Sequence, residues 1–122
     1  MSALVIYHAD CYDGFTAAWI ARQVMPDCEL FPASYGKPPP YELARERAVY
    51  VLDFSYPREE MIELNECASA LRVLDHHKTA EENCRGLAFC DFDMDRSGAG
   101  MAWDYFNSGA LRPRWIERVE RS

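Results

Sequence analysis

Three short apolar runs, each closed by acidic or histidine residues, constrain this chain most. Leu4-Val-Ile-Tyr7 runs into His8-Ala-Asp10-Cys-Tyr-Asp13-Gly14, Val49-Tyr-Val-Leu52 into Asp53, and Leu71-Arg-Val-Leu74 into Asp75-His76-His77. Short, β-branched-rich runs bounded by polar groups are the pattern of strands buried on both faces of a parallel sheet. Between them lie segments with helical spacing. Phe15 to Met25 places Phe15, Ala18, Trp19 and Arg22 on one face. A second segment has Ser55 as N-cap and Pro57 in the early turn before Glu59, Met61, Ile62, Leu64 and Cys67. Further strands are predicted at Glu29 to Ala33 and Gly86 to Phe92. A helix should open at Ser97 and close at Asn107-Ser108-Gly109, and a short last helix is expected from Pro113. The Pro38-Pro39-Pro40 run reads as a loop. Strand alternating with helix predicts an α/β fold: a Rossmann-like parallel sheet with flanking helices, in a single small domain over residues 1–122.

Right-handed crossovers make such strands parallel, so their carboxyl ends point one way and share a crevice. His8, Asp10, Asp13, Asp53, Asp75, His76 and His77 should therefore converge. Carboxylates and imidazoles gathered at strand ends are suited to divalent cations. Two cations about 3.5–4 Å apart clamp the attacking and leaving oxygens of a phosphoester and supply hydroxide near neutral pH. Asp53, alone at the end of a central strand, is the natural bridge between them, with Asp10 and Asp13 serving one metal each. Mixed imidazole and carboxylate ligation suits manganese, with zinc, iron or cobalt as contenders and magnesium less suited. The three histidines of the chain all fall within these motifs.

Charge narrows the partners. Twenty acids against thirteen bases leave −7, a poor balance for duplex DNA, whose nonspecific affinity depends on many Lys and Arg contacts. The five cysteines, Cys11, Cys28, Cys67, Cys84 and Cys90, form no CxxC pair, so neither a zinc ribbon nor a disulfide framework is predicted, and a reducing cytoplasm fits. Cys11 reads as a small buried thiol. Charge by residue 10 leaves the first apolar stretch too short for a signal peptide or membrane span. Trp19, Trp103 and Tyr105 read as packing residues, Asp91, Asp93 and Asp95 as solvated loop carboxylates, and the arginines after Leu111 as a solvated helix face.

The combination of His8-x-Asp10-x-x-Asp13-Gly14, Asp53-Phe54-Ser55 and Asp75-His76-His77 resembles the Asp-His-His (DHH) phosphoesterases. That family includes single-strand exonucleases, enzymes that degrade very short RNAs or cyclic dinucleotides, and manganese-dependent pyrophosphatases. The resemblance covers roughly the whole chain as the family's amino-terminal domain. It implies His8, Asp10, Asp13, Asp53 and His76 as metal ligands, with two Mn2+ ions at full occupancy. His77 would contact the phosphate and Asp75 would orient the adjacent imidazoles. Arg96, Ser97 and Gly98 resemble the family's small-residue stretch that binds substrate at a helix amino terminus. The spacing between the first two aspartates is one residue longer than the commoner Asp-x-Asp. The further aspartate and the second, glycine- and histidine-rich domain usual in the family do not follow Trp115 in these 122 residues. Two expectations result. One is a metal-dependent phosphoesterase acting on short nucleic acid, a dinucleotide or another small phosphoester. The other is a catalytically incomplete binding protein, such as a phage-type inhibitor whose acidic face engages a nucleic-acid-handling protein partner.

Overall fold

The computed structural model describes residues 2–107. Five strands, β1 (Leu4–His8), β2 (Glu29–Ala33), β3 (Ala48–Leu52), β4 (Ala70–Asp75) and β5 (Cys90–Phe92), form one sheet in the order β2-β1-β3-β4-β5. Every pairing is parallel, with Ile6 opposite both Phe31 and Val51, and Val51 opposite Val73. The α/β reading holds, and β2 keeps the bounds expected from sequence. The helices are α1 (Tyr12–Val24), α2 (Tyr41–Ala44), α3 (Arg58–Cys67), α4 (Glu81–Cys84) and α5 (Gly98–Phe106), with a 3-10 turn at Lys78–Ala80 before α4. Among the described residues no helix is long and apolar enough to cross a membrane.

Side chains that alternate along each strand build a core on either face of the sheet. Leu4, Ile6, Val49, Val51, Leu71 and Val73 meet Met61 and Leu64 of α3 on one side. Val5, Leu52 and Leu74 meet Ala17, Ala18, Ile20 and Ala21 of α1 and Ala99, Met101 and Ala102 of α5 on the other. Small residues dominate the faces that α1 and α5 turn inward, and they let the two helices lie close over the strand ends.

Several boundaries differ from the sequence expectations. α1 starts three residues earlier, at Tyr12, and its buried residues are Gly14, Thr16, Ala17, Ala18, Ile20 and Ala21. Phe15 and Trp19 are 63 % and 46 % exposed, so the predicted face is rotated from the buried one, which is mostly small residues. Tyr105 is likewise exposed, with its ring packed against those of Tyr50 and Phe106 at 6.0 and 5.0 Å. α3 starts at Arg58 with Pro57, not Ser55, as its N-cap, and the Arg58 N–H donates to Asn83 Oδ1 at 3.3 Å. β5 is shorter than Gly86 to Phe92. Gly86 takes φ +76, and the Leu87 N–H bonds Cys84 O at 3.1 Å and the Cys90 N–H bonds Leu87 O at 3.0 Å, which holds that segment in turns. The expected helix from Pro113 and the arginine-rich segment lie outside the described residues.

The order of β1 and β3 creates the crevice. From β1 the chain moves outward to β2, then crosses to β3 on the other side of β1. Such a switch leaves the carboxyl ends of the two adjacent strands uncovered by a direct connection, the usual location of a ligand site in open α/β sheets. His8 ends β1 and Asp53 follows β3.

Candidate metal centre

Asp53 is fully buried and lies in the left-handed region at φ 58. That conformation is unfavourable for most residues other than glycine and is tolerated best by Asp and Asn. It ends β3 while the Asp53 N–H still donates to Leu74 O of β4 at 2.9 Å. Two glycines wall the carboxylate in. A Cβ on Gly98 would lie 2.5 Å from Asp53 Oδ1, and one on Gly14 would lie 3.2 Å from Oδ2 and 2.4 Å from the His8 carbonyl oxygen. Neither position can carry a side chain without moving the centre.

Around Asp53 the donors fall into two groups that share it. His8, Cys11 and Asp53 form one, and Asp53, His76 and His77 the other, with ligand atoms in each group within 4.8 Å of one another. Cys11 Sγ donates to Asp53 Oδ2 at 3.3 Å, and burial pushes the thiol pKa up. His8 Nδ1 lies 3.6 Å from Oδ2; it is buried and has no hydrogen-bond partner. On the other side, His76 Nε2 stands 2.7 Å from Asp53 Oδ1 and 3.1 Å from Asp13 Oδ2. Hydrogen bonds to Asp13 and Asp53 push its pKa up to about 10. Burial raises the Asp53 pKa, opposed by the bond to His76 and reinforced by the charge of Asp13. One proton on His76 thus holds two carboxylates together where a cation would serve both.

Asp75, also fully buried, acts through its neighbours. Its Oδ1 accepts from His77 Nδ1 at 2.7 Å and from the His76 and His77 N–H groups at 2.8 and 3.3 Å. This turns His77 Nε2 toward the centre, 4.0 Å from Asp53 Oδ1. The bond to Asp75 raises the His77 pKa.

Asp13 sits in the first turn of α1 but belongs equally to α5. Its Oδ2 and Oδ1 accept the Gly98 and Ala99 N–H groups, both at 2.7 Å. Burial alone would raise its pKa; the bonds from His76, Ala99 and Gly98 outweigh that and hold it below the ordinary carboxylate value.

His8, Asp13, Asp53, Asp75, His76 and His77 are therefore brought together. Of the other expected site residues, Gly98 lies against Asp53 as a wall of the centre, whereas Asp10, Arg96 and Ser97 do not join it. Asp10 is exposed, at φ 56 in the loop before α1, and it shares neither donor group. Arg96 is held by Asp93 at 2.7 Å, Asp104 at 3.2 Å and Asp91 at 3.6 Å, so its charge is already matched. Ser97 is the cap of α5 and accepts the Gly100 N–H at 2.9 Å. Gly98 spends its N–H on Asp13, which leaves the amino terminus of α5 occupied by the protein's own carboxylate. Sequence reasoning missed Cys11 as a candidate donor, although its place between Asp10 and Asp13 was a signal.

No protein-family model matches the chain. The chain is 26 % identical over 142 aligned positions to an uncharacterized protein of Acanthamoeba polyphaga mimivirus, covering 96 % of this chain and 32 % of that protein. A solved structure of an uncharacterized protein from Helicobacter pylori matches with a TM-score of 0.79 at 18 % identity, over 98 % of this chain and 41 % of that one. The chain spans less than half the length of either, and the structural likeness speaks for the fold.

Proposed function

We propose that the centre holds two divalent cations and hydrolyses phosphoesters, in the manner of the DHH phosphoesterases that the sequence resembles. The observation that carries this reading is one fully buried carboxylate, Asp53, common to two donor groups. Two features support a fit to cations. His8 Nδ1 is a buried nitrogen with no partner, directed at Asp53, and a buried polar atom left unsatisfied is costly. The acidic pair Asp13 and Asp53 has a histidine rather than Lys or Arg as its counter-ion.

His8 and Asp53, with Cys11 in reach, would hold one ion; Asp13, Asp53 and His76 would hold the other. Manganese suits the carboxylate and imidazole donors, and a coordinating Cys11 thiolate would shift the preference toward zinc or iron. Bound cations lower the pKa of water and neutralise phosphoryl charge. The remaining chemistry belongs to the side chains. His77, oriented by Asp75 and kept basic by it, presents Nε2 as a hydrogen-bond donor to a phosphoryl or leaving oxygen. Asp13, fixed by two backbone N–H groups, keeps one geometry as the pH changes. Gly14 and Gly98 hold Asp53 in place from either side.

The test is manganese titration of the purified chain by calorimetry, together with cleavage of bis(4-nitrophenyl) phosphate and a short oligonucleotide. Two ions bound, and cleavage abolished by Asp53→Asn, are expected. No uptake, or wild-type activity equal to that of Asp53→Asn, overturns the reading. The alternative of a catalytically incomplete binding protein draws support from one observation: Arg96 and the amino terminus of α5, the anion-binding groups expected from sequence, are both occupied internally. In that case the chain would capture a protein partner equally well with and without Asp53→Asn.

A further inference from the structure

The five cysteines show no CxxC spacing, yet two of them meet. Cys84 ends α4 and Cys90 opens β5. The residues between them fold back in two steps. The Leu87 N–H donates to Cys84 O at 3.1 Å and the Cys90 N–H donates to Leu87 O at 3.0 Å, with Gly86 supplying the φ of +76 that the reversal needs. Cys90 pairs with Val73 of β4 and packs against the core cluster that holds both Val73 and Cys84. There the two thiols hydrogen-bond each other. The other three cysteines are engaged elsewhere. Cys11 donates to Asp53, Cys67 to the carbonyl oxygens of Leu64 and Tyr41, and Cys28 is buried in the core on the opposite face of the sheet.

The surroundings divide the roles of the pair. The Cys90 thiol donates to the Cys84 sulfur, and this bond holds the Cys84 pKa below the ordinary thiol value against burial and the charge of Asp75, with the charge of Arg58 assisting. The same bond, with burial, raises Cys90. Cys84 is thus the side that ionises and Cys90 the side that keeps the proton. Arg58 is fixed in place, since its guanidinium donates to the carbonyl oxygens of Asn83 and Arg85 on either side of Cys84. A thiolate near an arginine is the nucleophile in thiol oxidation, and a second thiol in contact with it converts the first oxidation product into a disulfide. Cys84 is 5 % exposed and Cys90 half-buried, so a small oxidant suits the pair better than a bulky one.

We infer that Cys84 and Cys90 form an oxidation site, a dithiol that hydrogen peroxide closes reversibly to a disulfide between α4 and β5. In the first step the Cys84 sulfur attacks one peroxide oxygen. An S–O bond forms, the O–O bond breaks, and the departing hydroxide takes a proton from solvent and leaves as water. In the second the Cys90 sulfur attacks the Cys84 sulfur. The S–S bond forms, the S–O bond breaks, and the hydroxyl leaves as water with the Cys90 proton. The dithiol gives up two electrons and the peroxide accepts them. Two equivalents of glutathione restore both thiols and become glutathione disulfide. Transient disulfides of this kind are compatible with a reducing compartment, and the site does not depend on metal at Asp53. The experiment exposes the reduced full chain to hydrogen peroxide until glutathione in the same solution is fully oxidised, then alkylates the remaining thiols and digests in urea. Trypsin cuts after Lys78, Arg85 and Arg96, so Cys84 and Cys90 fall in separate peptides, 79–85 and 86–96. The expected result is the loss of two of the five thiols, with these two peptides joined, two hydrogens lighter than their sum and separated again by glutathione. Recovery of the two peptides unjoined, whether alkylated or singly oxidised, overturns the site. Cys90→Ser, its fold checked by circular dichroism, should stop the reaction at a Cys84 sulfenic acid that dimedone labels. Labelling of other cysteines in place of Cys84 overturns its role as the attacking thiol, and if the variant does not fold the wild-type peptide map decides.

Discussion

Replacing Gly98 by alanine tests the packing that holds Asp53. The new methyl group would stand 2.5 Å from Oδ1 and 2.6 Å from both Cβ and Cγ of Asp53. Attractive contact between carbon atoms lies at about 3.5–4.0 Å, so the overlap approaches an ångström on three atoms at once. Asp53 cannot swing away freely, because Gly14, Cys11 and His76 close its other sides. Forcing one methyl into such a site costs about 1–3 kcal/mol, equivalent to a fall in Tm of roughly 4–8 °C per kcal/mol for a domain near 100 residues. Gly86→Ala is the matched control. It costs a comparable amount, about 1–2 kcal/mol, through its φ of +76, but nothing lies within 4 Å of the added atom. Thermal melts of both variants should show similar losses. Manganese titration should separate them, with uptake lost in Gly98→Ala and retained in Gly86→Ala. Equal manganese affinity in the two variants would refute the claim that the shape of the centre depends on this close approach.

Three further outcomes are expected. His76 is protonated in the metal-free chain with a pKa near 10, against 6.5 when unfolded, so its stabilising contribution is complete below about pH 6.5 and disappears as pH rises through about 10. Urea midpoints of metal-free protein should therefore fall between pH 7 and 10, and a flat profile indistinguishable from that of His76→Gln would contradict the ion pairs with Asp13 and Asp53. Asp75→Asn should lower the His77 pKa, read by NMR titration of the metal-free chain, and reduce turnover of the loaded protein about 10–100-fold; an unchanged His77 titration would mean that Asp75 does not orient it. Arg96→Ala should lower stability by about 1 kcal/mol by removing its ion pairs with Asp91, Asp93 and Asp104 while leaving manganese uptake intact; loss of uptake would return Arg96 to the site.

The parallel sheet and the convergence of the motifs were legible because strand ends are encoded locally. An apolar run that stops at Asp53 or at Asp75 needs no distant information to be recognised. What could not be read depended on which groups were already spoken for. Arg96 and Gly98 looked like substrate anchors until the carboxylates of Asp93, Asp104 and Asp13 were found on them, contacts that span up to 85 residues of sequence. The buried face of α1 was misread for a related reason. Bulk usually marks the inward side of a helix, but the face that α1 buries is mostly glycine and alanine, with Ile20 its one large apolar side chain, and Phe15 and Trp19 face outward. Cys11 was legible as a thiol, but its direction toward Asp53 was not.

The grip of Asp13 on the start of α5 makes assembly of the centre conditional. Asp13 comes from the beginning of the fold and α5 from the end of its described part, so neither reaches its working position until nearly every intervening strand is in register. A fragment that stopped before Gly98 would keep most of the donor atoms yet strip Asp13 of its two backbone N–H groups and leave Asp53 open on one flank. Under the proposed metal reading, cation capture would be coupled to completion of the domain, which would keep a nascent or partly unravelled chain from loading metal in a half-built pocket.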